Sequence, residues 1–212
     1  MAASPIGGIS NAYSYLARAS TALSVALTGL SCVVAVGAIP VLTQGFAWAL
    51  REPIRVDAPV PVLLMQLFVI VALPIGAGMA MRRRWPEWAA ARRAWFQRMT
   101  FVLLGLLLVI VVVAERERIA AVLSQVVVVA AAFVVLSFGA GWAAGSVVRA
   151  SESDRFTLAA EFATRNIAIA TTIAVTMLGR TEFAVFASVY FLTELPLMLA
   201  AVAVWRRARS GR

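Results

Sequence analysis

Six apolar runs, residues 19–42, 60–81, 99–114, 119–148, 156–178 and 183–205, occupy most of this chain of 212 residues. A helix needs about 20 apolar residues to cross a hydrocarbon core about 30 Å thick. Five of the runs meet that length, and the 99–114 run reaches it by taking in Trp95 and Phe96. Hydrophobic residues make up 62% of the chain, against about 45 to 50% apolar in globular proteins, and no soluble core absorbs that excess. An amphipathic bundle would show polar faces at helical spacing, and these runs show almost none. The sequence predicts an all-α polytopic membrane protein.

The charges give its orientation. All 19 basic residues are Arg, there is no Lys and no His, and the formal charge is +9. Arg82, Arg83, Arg84, Arg92, Arg93 and Arg98 stand against Glu87 in one connection, and Arg206, Arg207, Arg209 and Arg212 form the tail. By the positive-inside rule both lie on the cytoplasmic side, in the plasma or inner membrane. Parity agrees. If 82–98 is inside, then 115–118 is outside, 149–155 inside, 179–182 outside and the C-terminus inside. Trp85, Trp88, Trp95 and Trp205 suit an interfacial aromatic belt. Arginines placed between and after apolar runs act as topology signals and lipid headgroup contacts, so the bilayer is a partner and nucleic acid is not. The lone Cys32 excludes an internal disulfide and a cysteine-based metal cage, and reads as a small packing residue. With no His, no metal cluster and no nucleophile beside a base, the chain does not read as an enzyme.

Polar interruptions occur twice in comparable places. Pro5-Ile6-Gly7-Gly8-Ile9-Ser10-Asn11 precedes one long span, and Glu161-Phe162-Ala163-Thr164-Arg165-Asn166 precedes the last one. An acid or Arg at the centre of a span costs roughly 2.5 to 3.5 kcal/mol on insertion scales, so Glu161 and Arg165 need a functional or pairing reason. Inverted repeats that each carry an interrupted helix are a signature of secondary transporters, in which freed backbone groups and helix ends form an ion and solute site. On this reading residues 60–212 are one repeat of five spans, 60–81, 99–114, 119–148, 156–178 (broken) and 183–205. Residues 1–59 are the remnant of the other, the second half of a broken helix and one span.

The residues Ser4-Pro5-Ile6-Gly7-Gly8-Ile9-Ser10-Asn11 and Ala22-Leu23-Ser24-Val25-Ala26-Leu27-Thr28 resemble the fourth and fifth helices of the bile acid:sodium symporter family. The run from Glu161 to Ala170 resembles its ninth, where the usual form is Glu, three residues, then Gln-Asn. The resemblance implies a ten-helix inverted-repeat fold with two broken, crossing helices, and a chain that starts after the first three and a half of them. It implies a sodium site at Ser10, Asn11, Ser24, Thr28 and Glu161, and solute contacts at Asn11, Arg165 and Asn166. Ser24 and Thr28, four residues apart, share a helical face, and oxygen ligands suit a hard cation. Taken alone, each hydroxyl would bond back to a carbonyl one turn earlier.

Arg165 departs from the family pattern. A second sodium site implied by the resemblance uses Glu161, carbonyls at Phe162 and Thr164, and the Gln that Arg165 replaces. A guanidinium has five donors and no acceptor, so it cannot coordinate a cation. Three roles are open to it: a fixed charge in place of the second sodium, a clamp for an anionic solute, or an ion pair with Glu161 or Glu194. Glu194, near Pro196, reads as a polar residue associated with a kink or as a relay. Gly141 and Gly145 have the spacing of close helix contacts.

The sequence thus predicts a secondary transporter of an organic anion or similar small solute, coupled to sodium through at most one intact site. The alternative is a truncated or scaffold-type membrane subunit that needs a separate chain for the remaining helices.

Overall fold

A helix that crosses a bilayer satisfies its backbone groups internally, so the places where the helical pattern stops carry the information. The computed structural model describes residues 4–50, 65, 68–69, 73–114, 116–172 and 181–211, and these are helical almost throughout. Eight helices are formed among them: α1 Ile9–Leu16, α2 Thr21–Leu50, α3 Leu73–Arg84, α4 Pro86–Ala114, α5 Arg116–Val147, α6 Glu152–Ala163, α7 Ile167–Thr172 and α8 Thr181–Ser210. The expected connection 51–59, most of residues 60–72 and residues 173–180 lie outside the described residues. The chain packs as two units, Pro59–Ala120 and Met1–Ala58 with Ala121–Arg212.

In the unit Pro59–Ala120, α3 and α4 are separated by Trp85 alone. Arg82, Arg83 and Arg84 lie in the last turn of α3 and Glu87 in the first turn of α4, each with the sign that suits its helix end. Pro86 opens α4, where its missing N–H leaves no bond unmade. The basic segment 82–98, read from the sequence as a connection, is therefore helical. Its apolar members face outward beside the arginines, and the Arg92 guanidinium lies 4.5 Å from the centre of the Trp88 ring.

In the other unit, α1 packs against α2, α6 and α8, α2 packs against α6, and α7 against α8. The core gathers Tyr13, Ala17, Ala130, Val134, Phe156, Ala160, Ala163, Tyr190, Met198 and Val202. Phe156 stacks on Trp205 with ring centres 5.0 Å apart. Small residues set the closest approach. A Cβ on Gly141 would lie 2.5 Å from the Leu158 carbonyl oxygen, and one on Gly145 would lie 3.0 Å from Arg155 Cγ. Both glycines of the expected contact motif thus face α6.

The turn into α6 is closed locally. Arg149 takes a left-handed conformation (φ 52°) after α5, and the Ala150 N–H donates to the Gly145 carbonyl at 2.9 Å. Ser151 caps α6, accepting from the Asp154 N–H at 3.1 Å, while Glu152 and Asp154 complement the helix dipole.

Large apolar side chains such as Val128, Val135, Leu136 and Val204 point away from this core. Residues Val126–Val147 and Phe186–Ser210 are long and apolar enough to cross a membrane, and most of each faces outward. Buried helices of a soluble core would show the opposite, and apolar surface on this scale marks contact with a membrane or another protein.

Replacing Gly141 by Ala is expected to destabilise the protein, because overpacking against backbone costs about 1 to 3 kcal/mol. The helix-propensity gain of about 1 kcal/mol opposes it. Gly139, with nothing near its Cβ position, should keep that gain in Gly139→Ala. Thermal unfolding of the two variants in detergent checks this, and a reversed order rejects the close α5–α6 contact.

Candidate functional site

The site begins where two helices stop. Residues 5–7 enter α1 in extended form, and residues 164–166 separate α6 from α7. These two short segments cross antiparallel, with Ile6 bridged to Arg165. The Asn166 N–H donates to the Pro5 carbonyl at 2.8 Å, and the Gly7 N–H reaches the Thr164 carbonyl at 3.5 Å. Each break supplies partners for backbone groups freed by the other, which apolar surroundings demand. Gly7 is needed for the approach. A Cβ there would lie 2.5 Å from the Arg165 carbonyl oxygen and 2.9 Å from its carbon.

Side chains finish both ends. Asn166 Oδ1 accepts from the Ile169 N–H at 3.1 Å and so caps α7. The Ile6 N–H donates to Ser31 Oγ at 3.0 Å, and Ser31 donates to the Thr28 carbonyl at 2.8 Å, which ties the first crossing segment to α2.

Beside the crossing, Glu161 sits in the last turn of α6 with none of its surface exposed. Ser24 and Thr28 approach it from one face of α2. Ser24 Oγ donates to Glu161 Oε1, and Thr28 Oγ1 lies 3.1 Å from Oε2. Ser24 Oγ is also 2.8 Å from Asn11 Oδ1, and Thr28 Oγ1 is 3.0 Å from the Ser24 carbonyl. That last contact is the local back-bond expected of an isolated hydroxyl, so Thr28 makes it and faces the carboxylate as well. Ser10 Oγ, fully buried, faces the same carboxyl group but makes no hydrogen bond.

Counting protons shows what this arrangement lacks. Each hydroxyl carries one proton, yet Ser24 and Thr28 each meet two acceptors. One of the two contacts of each hydroxyl therefore goes without a proton. Oxygen-rich sites of that kind, with one carboxylate, suit a hard monovalent cation. The fold therefore brings Ser10, Asn11, Ser24, Thr28 and Glu161 together.

The remaining candidates are placed differently. Phe162 is exposed on the outer face of α6, and Thr164 is buried with Oγ1 unpartnered. Arg165 lies on the crossing segment, its guanidinium 5.8 Å from the centre of the Phe133 ring. It forms no ion pair with Glu161. An ion pair does form on the surface, between Arg116 and Glu117 at 3.8 Å. Four residues bring two side chains onto one face only while the helix continues, and Thr164 has already left it at φ −100°, ψ 127°.

The sequence singles out Glu194 as an acid in an apolar run, but not the two tyrosines at this place. Tyr13 and Tyr190 are buried, Glu194 is fully buried, and the Tyr190 hydroxyl donates to the Ala163 carbonyl freed at the end of α6. A signal existed in the spacing of Tyr190 and Glu194, which puts two polar side chains on one face of an apolar helix.

No curated protein matches this chain. The family model described as Sodium Bile acid symporter family matches residues 1–122, which include Ser10, Asn11, Ser24 and Thr28 and stop short of Glu161. With more than half of its residues inside that match, the chain belongs to the sodium bile acid symporter family.

Proposed function

We propose that this integral membrane protein is a secondary active transporter that couples the movement of an organic anion or similar small solute to sodium. The observation that carries the reading is the cluster of Ser10, Asn11, Ser24, Thr28 and Glu161 beside two crossing helix breaks. A cation there would take the lone pairs that the hydroxyl protons leave unfilled, and the Glu161 carboxylate would balance its charge. The ligands come from α1, α2 and α6, so binding would draw three elements together. That is the link alternating access needs, because an ion shifts a conformational equilibrium only by the difference in its affinity for the two states.

In this reading residues 1–59 and 60–212 belong to two inverted repeats of a ten-helix fold, with the C-terminal arginines on the cytoplasmic side. Asn11 and Arg165 face the solute path, while Asn166 fixes the break beside it. Arg165 stands in the place of a second cation as a fixed positive charge, which its lack of acceptor atoms and its distance from a Glu161 ion pair both favour.

Sodium binding to the purified full chain, measured with radioactive sodium, tests the site. Glu161→Ala should weaken it by about a hundredfold, since bonds to charged groups contribute about 1.5 to 3 kcal/mol. Thr28→Val should weaken it by about five- to tenfold on the same scale. Sodium-driven uptake of a conjugated bile acid into proteoliposomes should fall in parallel. Unaltered sodium binding in Glu161→Ala would end the cation-site reading.

Arg165→Gln should convert binding of one sodium ion into binding of two, because it removes a fixed charge and adds an acceptor oxygen. A stoichiometry still at one rejects the substitute-charge role.

A further inference from the structure

Arg165 is always charged and half-buried, and its Nε has no hydrogen-bond partner. A guanidinium in an apolar interior needs an opposite charge nearby. Glu161 does not supply it, because the break at Thr164 turns the two side chains apart and no ion pair forms between them.

The other fully buried acid among the described residues is Glu194. Its place follows from the packing of α8. Tyr190 is anchored by its hydroxyl to the Ala163 carbonyl, at the end of α6. Glu194 lies one turn further on the same face of α8. Its neighbours agree. Thr164, Tyr13 and Arg165 are the polar groups around the Glu194 carboxyl, and Tyr190 and Glu194 those around the guanidinium, which makes no ion pair within 4.0 Å of either acid. Both Glu194 oxygens, Tyr13 Oη and Thr164 Oγ1 are buried without a hydrogen bond. A carboxylate accepts only, so donors from α1 and from the crossing segment complement it.

We propose that Glu194 is the counter-charge of Arg165, a positioning residue on α8 that leaves Glu161 free to bind the exchangeable cation. The charges then add up simply. Two buried carboxylates and one guanidinium leave a single net negative charge, which one sodium ion neutralises. This rests on the sodium-coupled reading above and names the residue that fixes its stoichiometry.

Glu194 and Arg165 are tested by neutralising each alone and both together in the full chain, with sodium as the only probe. Glu194→Gln should weaken sodium binding by about tenfold or more, because the uncompensated guanidinium now opposes the cation. The double variant Glu194→Gln with Arg165→Gln should again bind one sodium ion, with a half-saturation within about threefold of the parent protein. A purely structural role predicts no such rescue. Parent-like binding in Glu194→Gln, or a double variant no better than Glu194→Gln, overturns the proposal. If Glu194→Gln unfolds readily, thermal unfolding gives the same comparison: the double variant should be the more stable of the two, and equal instability overturns the pairing. Loss of sodium binding in Glu161→Ala separates the two questions, since it bears on the cation site and not on which acid compensates Arg165.

Discussion

The backbone crossing of residues 5–7 with residues 164–166 is the constraint on which the rest of the site depends. Inside a bilayer an unsatisfied N–H or carbonyl costs several kcal/mol, so a single helix break is a liability there. Two breaks facing each other share that cost, since each provides donors and acceptors for the other. The arrangement demands a glycine at position 7, where any side chain would meet the Arg165 backbone. It also fixes which side chains become neighbours. Residues just after the first break, Ser10 and Asn11, are brought to the last turn before the second, where Glu161 stands.

A second consequence concerns α2. This helix is unbroken through Ser24 and Thr28, and it touches both breaks. Ser31 holds the first by its backbone, and Ser24 and Thr28 hold the acid beside the second. One continuous helix thus serves as a ruler for two interrupted ones. The exposed apolar faces complete the picture, since lipid supplies no competing hydrogen bonds and leaves these polar groups to one another. Small residues permit the remaining close contacts, as Gly141 and Gly145 do where α5 meets α6.

Much of this was legible in the sequence, for identifiable reasons. Apolar length and arginine placement depend on composition along the chain, and so the membrane class could be read directly. Ser24 and Thr28 are linked by helical period, which needs no tertiary information. The polar breaks were visible because Pro, Gly and charge interrupt long apolar runs. What could not be read was the pairing across the break. The i, i+4 spacing of Glu161 and Arg165 suggests an ion pair, and only the extended residues at 164–166 undo it. Asn166, which the family resemblance implies as a solute contact, caps α7 through its own side chain, a use that depends on where that helix starts. The segment 82–98 misled for a different reason. Its arginines look like a loop by composition, yet Pro86, Glu87 and the arginines at the end of α3 are also good helix-terminal residues.

Charge in this interior is divided by backbone geometry more than by distance along the chain. An unbroken helix through residue 165 would place the guanidinium over Glu161 and occupy the carboxylate with a permanent partner. An exchangeable ion would then have to displace a tethered one, at a disadvantage set by the high effective concentration of a linked group. The break prevents this by turning Arg165 away from Glu161. The same three residues that interrupt the helix therefore do two things at once. They pair the two breaks, and they keep the Arg165 guanidinium from pairing with Glu161.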